Sequence, residues 1–249
     1  AGGGWWNWHP SKTALEYLWR IGEVCVCHRT NFAKQFDLSE RVHPAECAEP
    51  APSEAETIDW ACNAALDRLG FATSGEIAAF WATVKPDEAK IWCAAALQRG
   101  EIVEIAVEGS DGNLRRCVAR PDVFAAAAAV AAPQNRVRIL SPFDPALRDR
   151  NRTERLFGFT YRIEIFVPEP KRRYGYYVFP VMERDRVIGR LDAKAVRAEG
   201  RLAVRAFWPE PGVTMGTGRL SRLRAELQRL SRFAGCGEVT FAPDWLRAA

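Results

Sequence analysis

The sequence predicts an α+β protein in which tandem winged helix-turn-helix modules precede a mostly antiparallel β-sheet or small barrel with a C-terminal amphipathic helix. Three observations predict this class. In residues 54–119, apolar residues first recur at helical spacing and then alternate with polar residues, as in three helices followed by two strands. The last part of this pattern, one helix and two strands, also occurs in residues 5–44. After Arg136 the apolar residues recur with a period of two, which is typical of strands. Since 249 residues accommodate one to three domains, we expect domains at 1–50, 51–133 and 134–249.

The first domain is predicted to be the remainder of a winged helix. Pro10 begins a helix with one apolar stripe, and Gly22 ends it. Residues 24–27 and 33–38 then form the two strands of a wing. A recognition helix and wing without two earlier helices indicate that the missing helices lie upstream of Ala1. The start Ala-Gly-Gly-Gly has no Met and no signal peptide, so we expect a piece of a longer cytoplasmic protein.

The second domain is predicted to be a complete winged helix-turn-helix. Its three helices and two strands are expected at 54–69, 74–81, 86–98, 101–107 and 114–119. In such a domain the third helix normally enters the major groove, yet here its polar residues are nearly neutral in sum. We therefore expect a scaffolding role for this domain rather than groove contact, and we retain Arg115 and Arg116 on its wing as DNA contacts. The alanine-rich run after it predicts a helix between domains that ends at Pro133.

The third domain is predicted to be largely β. Five segments alternate or run apolar, at 136–140, 161–167, 174–182, 186–192 and 202–208. A helix follows Gly216, with Leu220, Leu223, Leu227, Leu230 and Phe233 on one face and Arg222, Arg229 and Arg232 on the other. We expect its leucines to pack on the sheet and its arginines to face solvent, with DNA contact as the alternative.

Charge divides the chain unevenly. Residues 1–133 carry 12 Lys and Arg against 18 Asp and Glu, whereas residues 134–249 carry 23 against 13. The second part, with a net charge of +10, is therefore the expected nucleic-acid face. The alternative is a solvated surface in which Arg replaces Lys, since only six of the 35 basic residues are Lys.

Composition excludes several classes of protein. No apolar run approaches the roughly 20 residues that span a bilayer. Seven scattered cysteines indicate a reduced compartment and no disulfide framework. Cys25-Val-Cys27-His28 lacks a second ligand pair at zinc spacing, so no metal site is expected. No Walker loop, Gly-x-Gly-x-x-Gly or Gly-x-Ser-x-Gly motif occurs, and we expect no cofactor.

Two groups of cations are candidate DNA contacts. Lys171, Arg172 and Arg173 precede Tyr174 and lie between two predicted strands, which predicts a hairpin tip. Adjacent cations on a turn repel each other unless an anion such as phosphate neutralises them. A solvated loop is the alternative. The second group is Arg148, Arg150 and Arg152, for which neutralisation by Asp149 and Glu154 is the alternative.

Several motifs carry a resemblance to one family. They are the block Leu140–Pro145 with Arg148–Thr153, Leu156–Phe159, Tyr161–Glu164 and Lys171–Tyr177, the opening Gly2–Lys12, and Gly189–Lys194. In these motifs the chain closely resembles the winged-helix DNA glycosylases of the AlkZ and YcaQ type. The resemblance implies a bacterial, cytoplasmic, monomeric DNA repair enzyme. It implies hydrolysis of the N-glycosidic bond of alkylated or interstrand-crosslinked purines in double-stranded DNA, without metal or cofactor.

The resemblance does not extend to catalytic residues. In the family a Gln-Φ-Asp or Gln-Φ-Gln motif, with Φ apolar, lies in an N-terminal winged helix, which we expect upstream of Ala1. Gln35-Phe36-Asp37 spells this motif but occupies the position of the strand and turn after the Trp-rich helix. We interpret Gln35 and Asp37 as wing structure and assign no catalytic residue. Two alternatives to the enzyme remain, a stand-alone winged-helix regulator and a protein-binding scaffold.

Aromatic residues at the start of the chain have two interpretations. Trp5, Trp6 and Trp8 precede the first helix. They are expected to be buried between domains, and stacking on an extruded base is the alternative. His9 is expected to pack or to cap the helix rather than to act as a base.

Overall fold

The structure, a computed structural model, describes residues 9–44 and 52–248. In these ranges it contains nine α-helices and ten β-strands, which confirms the α+β class. The chain divides into two compact units, one ending at Thr57 and the other beginning at Ile58. No helix in the described ranges is long and apolar enough to cross a bilayer. The three tryptophans before His9 lie outside these ranges.

The first unit contains a helix, a two-stranded antiparallel sheet and a short second helix. These are α1 (Pro10–Arg20), β1 (Val24–Thr30), β2 (Ala33–Leu38) and α2 (Ser39–Val42). The first three elements lie where the sequence predicts them. His9 caps α1, because its Nδ1 accepts a hydrogen bond from the backbone N–H of Ser11 at 3.3 Å. This confirms the expected capping role.

Three helices and a three-stranded sheet follow. They are α3 (Glu54–Leu69), β3 (Phe71–Ala72), α4 (Ser74–Trp81), α5 (Pro86–Gln98), β4 (Val103–Glu108) and β5 (Leu114–Ala119), with strand order β3-β5-β4. We call residues 58–119 the helical module. Its core includes the buried side chains of Leu66, Ile77 and Ile102. All three helix ranges match the prediction, whereas the two-residue β3 was not predicted.

The remaining elements surround a five-stranded sheet. They are α6 (Val123–Ala129), β6 (Val137–Ile139), α7 (Pro145–Arg148), α8 (Arg150–Phe157), β7 (Val178–Glu183), β8 (Arg186–Val196), β9 (Arg201–Pro209), α9 (Thr217–Phe233) and β10 (Glu238–Phe241). The strand order is β10-β9-β8-β7-β6, and every pair is antiparallel except β10 with β9. The sheet is therefore mostly antiparallel, as predicted.

Helix α9 packs on this sheet through leucines, as predicted, but two other residues of the helix differ from the prediction. Leu223 and Leu227 are fully buried against it. Phe233 is 90% exposed, so its assignment to the apolar face was wrong. Arg222 was expected in solvent, but it donates to Glu183 on β7 at 2.7 Å, and Arg219 also pairs with Glu183. A carboxylate on the sheet thus fixes the first turns of the helix.

Residues 161–167 and 174–177 are not strands, which corrects the sequence prediction. Tyr161 is buried, and its hydroxyl donates to the carbonyl of Val178 at 2.6 Å. The intervening segment contains one 3-10 turn, Glu169–Lys171. Lys171, Arg172 and Arg173 therefore do not form a hairpin tip. Two prolines, at 168 and 170, lack the N–H groups that a strand contributes, and this favours the turn.

The Gly189–Lys194 motif has a packing role. A Cβ on Gly189 would lie 2.6 Å from the carbonyl oxygen of Trp208, so only glycine lets β8 and β9 approach here. Arg190 is buried between the rings of Phe159 and Tyr174, at 4.3 and 4.7 Å. Its Nε lies 2.9 Å from Glu210 Oε1, without the alignment of a hydrogen bond.

Glu76 joins the helical module to α8. Its carboxylate accepts from the backbone N–H of Thr73 at 2.7 Å, which completes a capping box on α4. The same carboxylate pairs with Arg152 at 3.2 Å and with Arg155. The three side chains are between 10% and 14% exposed, so the ion pairs are shielded from solvent.

Burial alone would raise the pKa of Glu76. The hydrogen bond from Thr73 and the charges of Arg155 and Arg152 outweigh burial, and the pKa is lowered from its ordinary value. Arg152 also donates to the carbonyl of Leu69 at 3.1 Å, and its guanidinium lies 4.6 Å from the ring of Phe71. The end of α3 is thereby tied to α8.

Replacing Glu76 by Gln should lower the free energy of unfolding by about 3 kcal/mol, because it leaves two buried guanidiniums without a counter-charge. Urea denaturation measures this difference. Glu88→Gln is the matched control, since Glu88 has the same capping position on α5 but pairs with the exposed Lys85. The free energy of unfolding of this control variant should stay close to that of the parent chain. Equal losses in both variants would contradict the assigned role of the ion pairs.

Stability should also depend on pH through Glu76. Because its pKa is lower in the folded chain than the ordinary 4.5, the unfolded chain binds the proton more tightly. The ion-pair contribution is complete above about pH 4.5 and is lost as pH falls through the folded pKa. Urea midpoints between pH 7 and 3 should therefore fall less steeply for Glu76→Gln than for the parent chain. Parallel curves would contradict this assignment.

Candidate nucleic-acid interface

A cleft in the second unit lies between the helical module and the segment that carries α7 and α8. It consists of two adjoining cavities of about 1110 and 600 Å³. The residues that line both cavities are Arg68, Phe80, Pro145, Arg148, Arg150, Tyr161 and Arg162. We call this feature the arginine cleft. Of the seven residues that line both cavities, four are arginines and two are aromatic.

The acidic groups of the cleft have partners of their own. Glu76 holds Arg152 and Arg155. Asp149 caps α8 by accepting from the backbone N–H of Arg152 at 3.0 Å, and Glu154 accepts from the Thr160 hydroxyl at 3.1 Å. The carboxylates are thus engaged in local structure.

The four shared arginines, by contrast, form no ion pair with a carboxylate anywhere in the described ranges. Arg148, Arg150 and Arg162 are exposed, and the Arg148 guanidinium lies 5.3 Å from the Phe80 ring. Arg68 donates to the carbonyl of Ala64 at 2.8 Å. The cleft therefore presents positive charge that an anion such as phosphate can neutralise.

Aromatic rings form the wall beside these cations. Phe80 and Trp81 meet edge to face with ring centroids 5.0 Å apart, and Trp60 stacks on Trp81 at 5.5 Å. The indole Nε1 of Trp81 is buried and has no acceptor among the described residues. Phe143, which is 69% exposed, lines the smaller cavity. Cations beside the half-buried Phe80 and the exposed Phe143 suit a single-stranded or locally opened nucleic acid, which presents phosphates to the cations and bases to the rings.

The three arginines that the sequence groups together all line the larger cavity, but they differ in exposure and in partners. Arg148 and Arg150 lie on the arginine cleft. The Arg152 side chain is 12% exposed and forms an ion pair with Glu76, so we do not include Arg152 among the proposed DNA contacts. The sequence pointed to Asp149 and Glu154 as neutralising acids, but the actual partner lies 76 residues away in the chain. Arg155, which sequence reasoning missed, shares this partner.

Residues 164–175 form what we call the Glu164 loop. The Glu164 carboxylate accepts three backbone N–H groups, from Arg173, Tyr174 and Gly175, at 2.9, 2.9 and 3.0 Å. Partial burial acts to raise its pKa, but these hydrogen bonds and the charge of Arg172 outweigh burial, and the pKa is lowered. The carboxylate thus closes the base of the loop.

The cations of the Glu164 loop differ in exposure. Lys171 and Arg173 are exposed. Arg172 is half-buried, donates through Nε to the carbonyl of Val167 at 2.9 Å, and lies 5.0 Å from the Tyr176 ring. Tyr174 meets Trp208 edge to face at 5.3 Å. Lys171 and Arg173 therefore remain available to phosphate, whereas Arg172 and Tyr174 support the loop.

The two arginines predicted as DNA contacts on the wing are exposed, and Gln35 and Asp37 have partners within their own hairpin. Arg115 and Arg116 are exposed on β5, and Arg116 lies 3.6 Å from Glu104. Gln35 donates to the Thr30 hydroxyl at 3.1 Å. Asp37 accepts from the backbone N–H of Leu38 at 2.8 Å. The Gln35 and Asp37 side chains thus take part in the turn and strand ends of their own hairpin.

One close thiol contact joins residues that are distant in sequence. Cys25 Sγ lies 3.0 Å from His43 Nε2 and 3.2 Å from the Ser39 hydroxyl. Within 9–44 and 52–248, no group of three His, Cys, Asp or Glu side chains is placed to hold a metal ion.

Comparisons with known proteins identify relatives of this fold. A family model described as "DNA glycosylase AlkZ-like" matches residues 1–233. Among solved structures, the chain is similar to Streptomyces sahachiroi DNA glycosylase AlkZ, with a TM-score of 0.59 and 18% sequence identity. The alignment covers 94% of this chain and 58% of that chain. At this identity the structural likeness shows the fold, and the chain spans 58% of the length of the structure that it matches.

Polyanion binding by the arginine cleft should depend on salt in a countable way. Replacing Arg150 and Arg162 together by Ala should reduce the slope of log affinity against log salt concentration by about two, because each lost phosphate contact removes about one released counterion. Fluorescence anisotropy with a labelled duplex between 50 and 300 mM KCl measures the slope. Arg186 and Arg197, exposed outside the cleft, supply the matched double-Ala control. An unchanged slope in the cleft variant would contradict the assignment.

Proposed function

The chain belongs to the AlkZ-like family of DNA glycosylases, and on that basis we propose that it is the DNA-binding portion of a DNA repair glycosylase. The proposed enzyme hydrolyses the N-glycosidic bond of alkylated or interstrand-crosslinked purines. Its substrate is damaged double-stranded DNA, and it acts as a cytoplasmic monomer in a bacterium.

The observation that carries this proposal is the arginine cleft. Four arginines without carboxylate partners in the described ranges lie beside the half-buried ring of Phe80 and the exposed ring of Phe143. A cleft of this kind binds a phosphodiester chain at several points, whereas a small anionic metabolite needs only one or two such contacts. The net charge of +10 on residues 134–249 adds long-range attraction for DNA.

We further propose that residues 1–50 and 51–133 are tandem winged-helix domains and that 134–249 form the β domain. Helix α5 and the β4–β5 hairpin are consistent with a recognition helix and wing. The exposed residues of α5 include Asp87, Lys90 and Ile91, which sum to no net charge. This favours a supporting role for α5 and leaves phosphate contact to the exposed wing residues Arg115 and Arg116.

The proposed reaction is a monofunctional hydrolysis. Water attacks the anomeric carbon and loses a proton to solvent, and the bond from that carbon to the base nitrogen breaks with its electron pair going to the base. A purine alkylated at N3 or N7 is already cationic, so it leaves as the neutral base. The positively charged sugar that develops needs a carboxylate or amide beside it to orient the water. Gln35 and Asp37 are engaged within their own hairpin, so we assign the chain a role in binding and orienting DNA and name no catalytic residue on it.

A stand-alone winged-helix regulator or scaffold is the second candidate. Of the two, the scaffold is favoured by one observation, the neutral exposed face of α5 with Ile91 71% exposed, whereas a regulator would normally have a strongly basic recognition helix. A scaffold would bind no DNA at any salt concentration. A regulator would prefer one intact DNA sequence over damaged DNA.

The proposal predicts that the chain binds duplex DNA with N7-methylguanine more tightly than undamaged duplex and with strong salt dependence. Anisotropy measures affinity, and mass spectrometry of the same mixtures measures free base. We expect binding, and we expect base release to be the same for the parent chain and for Gln35→Ala with Asp37→Asn. A loss of release in that double variant would overturn our assignment of these residues. Failure to bind either duplex at 50 mM KCl would overturn the proposed function.

A further inference from the structure

Phe166 is an exposed apolar residue in the first turn of the Glu164 loop. It is 88% exposed. It lies in a tight turn that is closed by a hydrogen bond from the Val167 N–H to the Glu164 carbonyl at 2.9 Å. Single exposed apolar residues are common on protein surfaces, so exposure alone does not indicate a function. The construction of the loop around this ring does.

The loop is braced on both sides of Phe166. The Glu164 carboxylate holds the returning backbone at Arg173, Tyr174 and Gly175. On the other side, the Arg172 guanidinium donates to the carbonyl of Val167, the residue next to Phe166. These contacts fix the backbone on either side of the ring, which is 88% exposed.

The return of the loop is also tightly packed. Gly175 has a φ of +141°, and a Cβ at this position would lie 2.9 Å from Asp192 Oδ2 on β8. The Asp192 side chain is 13% exposed, and burial raises its pKa. The loop is therefore pre-organised before any partner binds, which reduces the ordering entropy lost on binding.

Charge around the ring identifies the class of partner. Lys171 and Arg173 are exposed within the same loop, and Arg162 lies two residues before it and lines the arginine cleft. An apolar ring flanked by cations is complementary to a base stack flanked by phosphates. A protein surface is the other occupant that the apolar neighbours Ile165, Val167 and Pro168 would suit, and the test below distinguishes it from DNA.

We propose that Phe166 inserts into the base stack of bound duplex DNA and occupies the gap between neighbouring base pairs. Lys171 and Arg173 contact the flanking phosphates, and Glu164 is the positioning residue that keeps the loop extended. The inference rests on the proposed function, since it requires that the chain bind duplex DNA. It adds a contact that separates base pairs, which phosphate binding alone does not do.

The test uses duplexes with a stable abasic-site analogue and 2-aminopurine on its 3′ or 5′ side, because 2-aminopurine brightens when it is unstacked. At saturating parent chain, we expect at least a threefold rise in fluorescence for one of the two duplexes. Phe166→Ala should abolish that rise and weaken affinity about tenfold with an unchanged salt slope, since a ring contributes stacking but no counterion release. Phe166→Trp should restore the rise.

Two controls separate insertion from other effects. Phe233→Ala removes an equally exposed ring, 90% exposed at the end of α9, and should leave fluorescence and affinity unchanged. Lys171→Ala with Arg173→Ala should lower the salt slope by about two yet keep the fluorescence rise at saturation. Because the side chain of Phe166 is exposed, its replacement should leave the urea midpoint unchanged.

The outcomes distinguish this inference from the proposed function. Binding by the parent chain without a fluorescence rise, or a rise that persists in Phe166→Ala, overturns insertion and leaves the proposed function standing. Phe166→Ala could instead leave DNA affinity unchanged and weaken binding to a protein captured from lysate. That result would show that Phe166 belongs to a protein-docking surface, and it also overturns insertion. Failure of the parent chain to bind either duplex overturns both.

Discussion

The buried ion pairs of Glu76 with Arg152 and Arg155 are the constraint on which the arginine cleft depends. One carboxylate closes the capping box of α4 and also holds two guanidiniums of α8. Removing charges from water is costly, and the cost is recovered only when geometry is good and other lone pairs are satisfied. Glu76 meets both conditions, so it fixes the distance between the helical module and α8. The cleft is the space that remains between them.

Carboxylates also decide which cations stay free. Glu76, Glu183 and Glu210 neutralise arginines that hold elements together. Glu164 accepts backbone N–H groups instead, and so orders a loop without neutralising Lys171 or Arg173. The arginines of the cleft receive no carboxylate within the described ranges. The cleft and the Glu164 loop are therefore two places where cations without a carboxylate partner among the described residues lie beside aromatic rings.

Sequence patterns predicted the elements whose signals are local. The helix α4 begins at the Thr73 cap and α5 at Pro86, because capping and proline geometry act within one turn. The same reasoning failed at 161–167, where alternation was taken for a strand. There the apolar residues pack under α7 and α8, and Tyr161 donates to Val178 instead of pairing in a ladder. Alternation of apolar and polar residues indicates that one side of a segment is buried, and a segment without regular secondary structure can also be buried on one side.

By itself the sequence determined the α+β class, the family resemblance, the bounds of the main helices and the positive second part of the chain. It did not decide which of Arg148, Arg150 and Arg152 face solvent, because alternating arginines look equivalent along a chain. On helix α8, residues three apart lie on one face, and Arg152 and Arg155 therefore reach Glu76 together. Only the tertiary structure brings Glu76 within hydrogen-bond distance of residues 76 and 79 positions later. Electrostatic partnership depends on distance in space, and separation along the chain does not encode it.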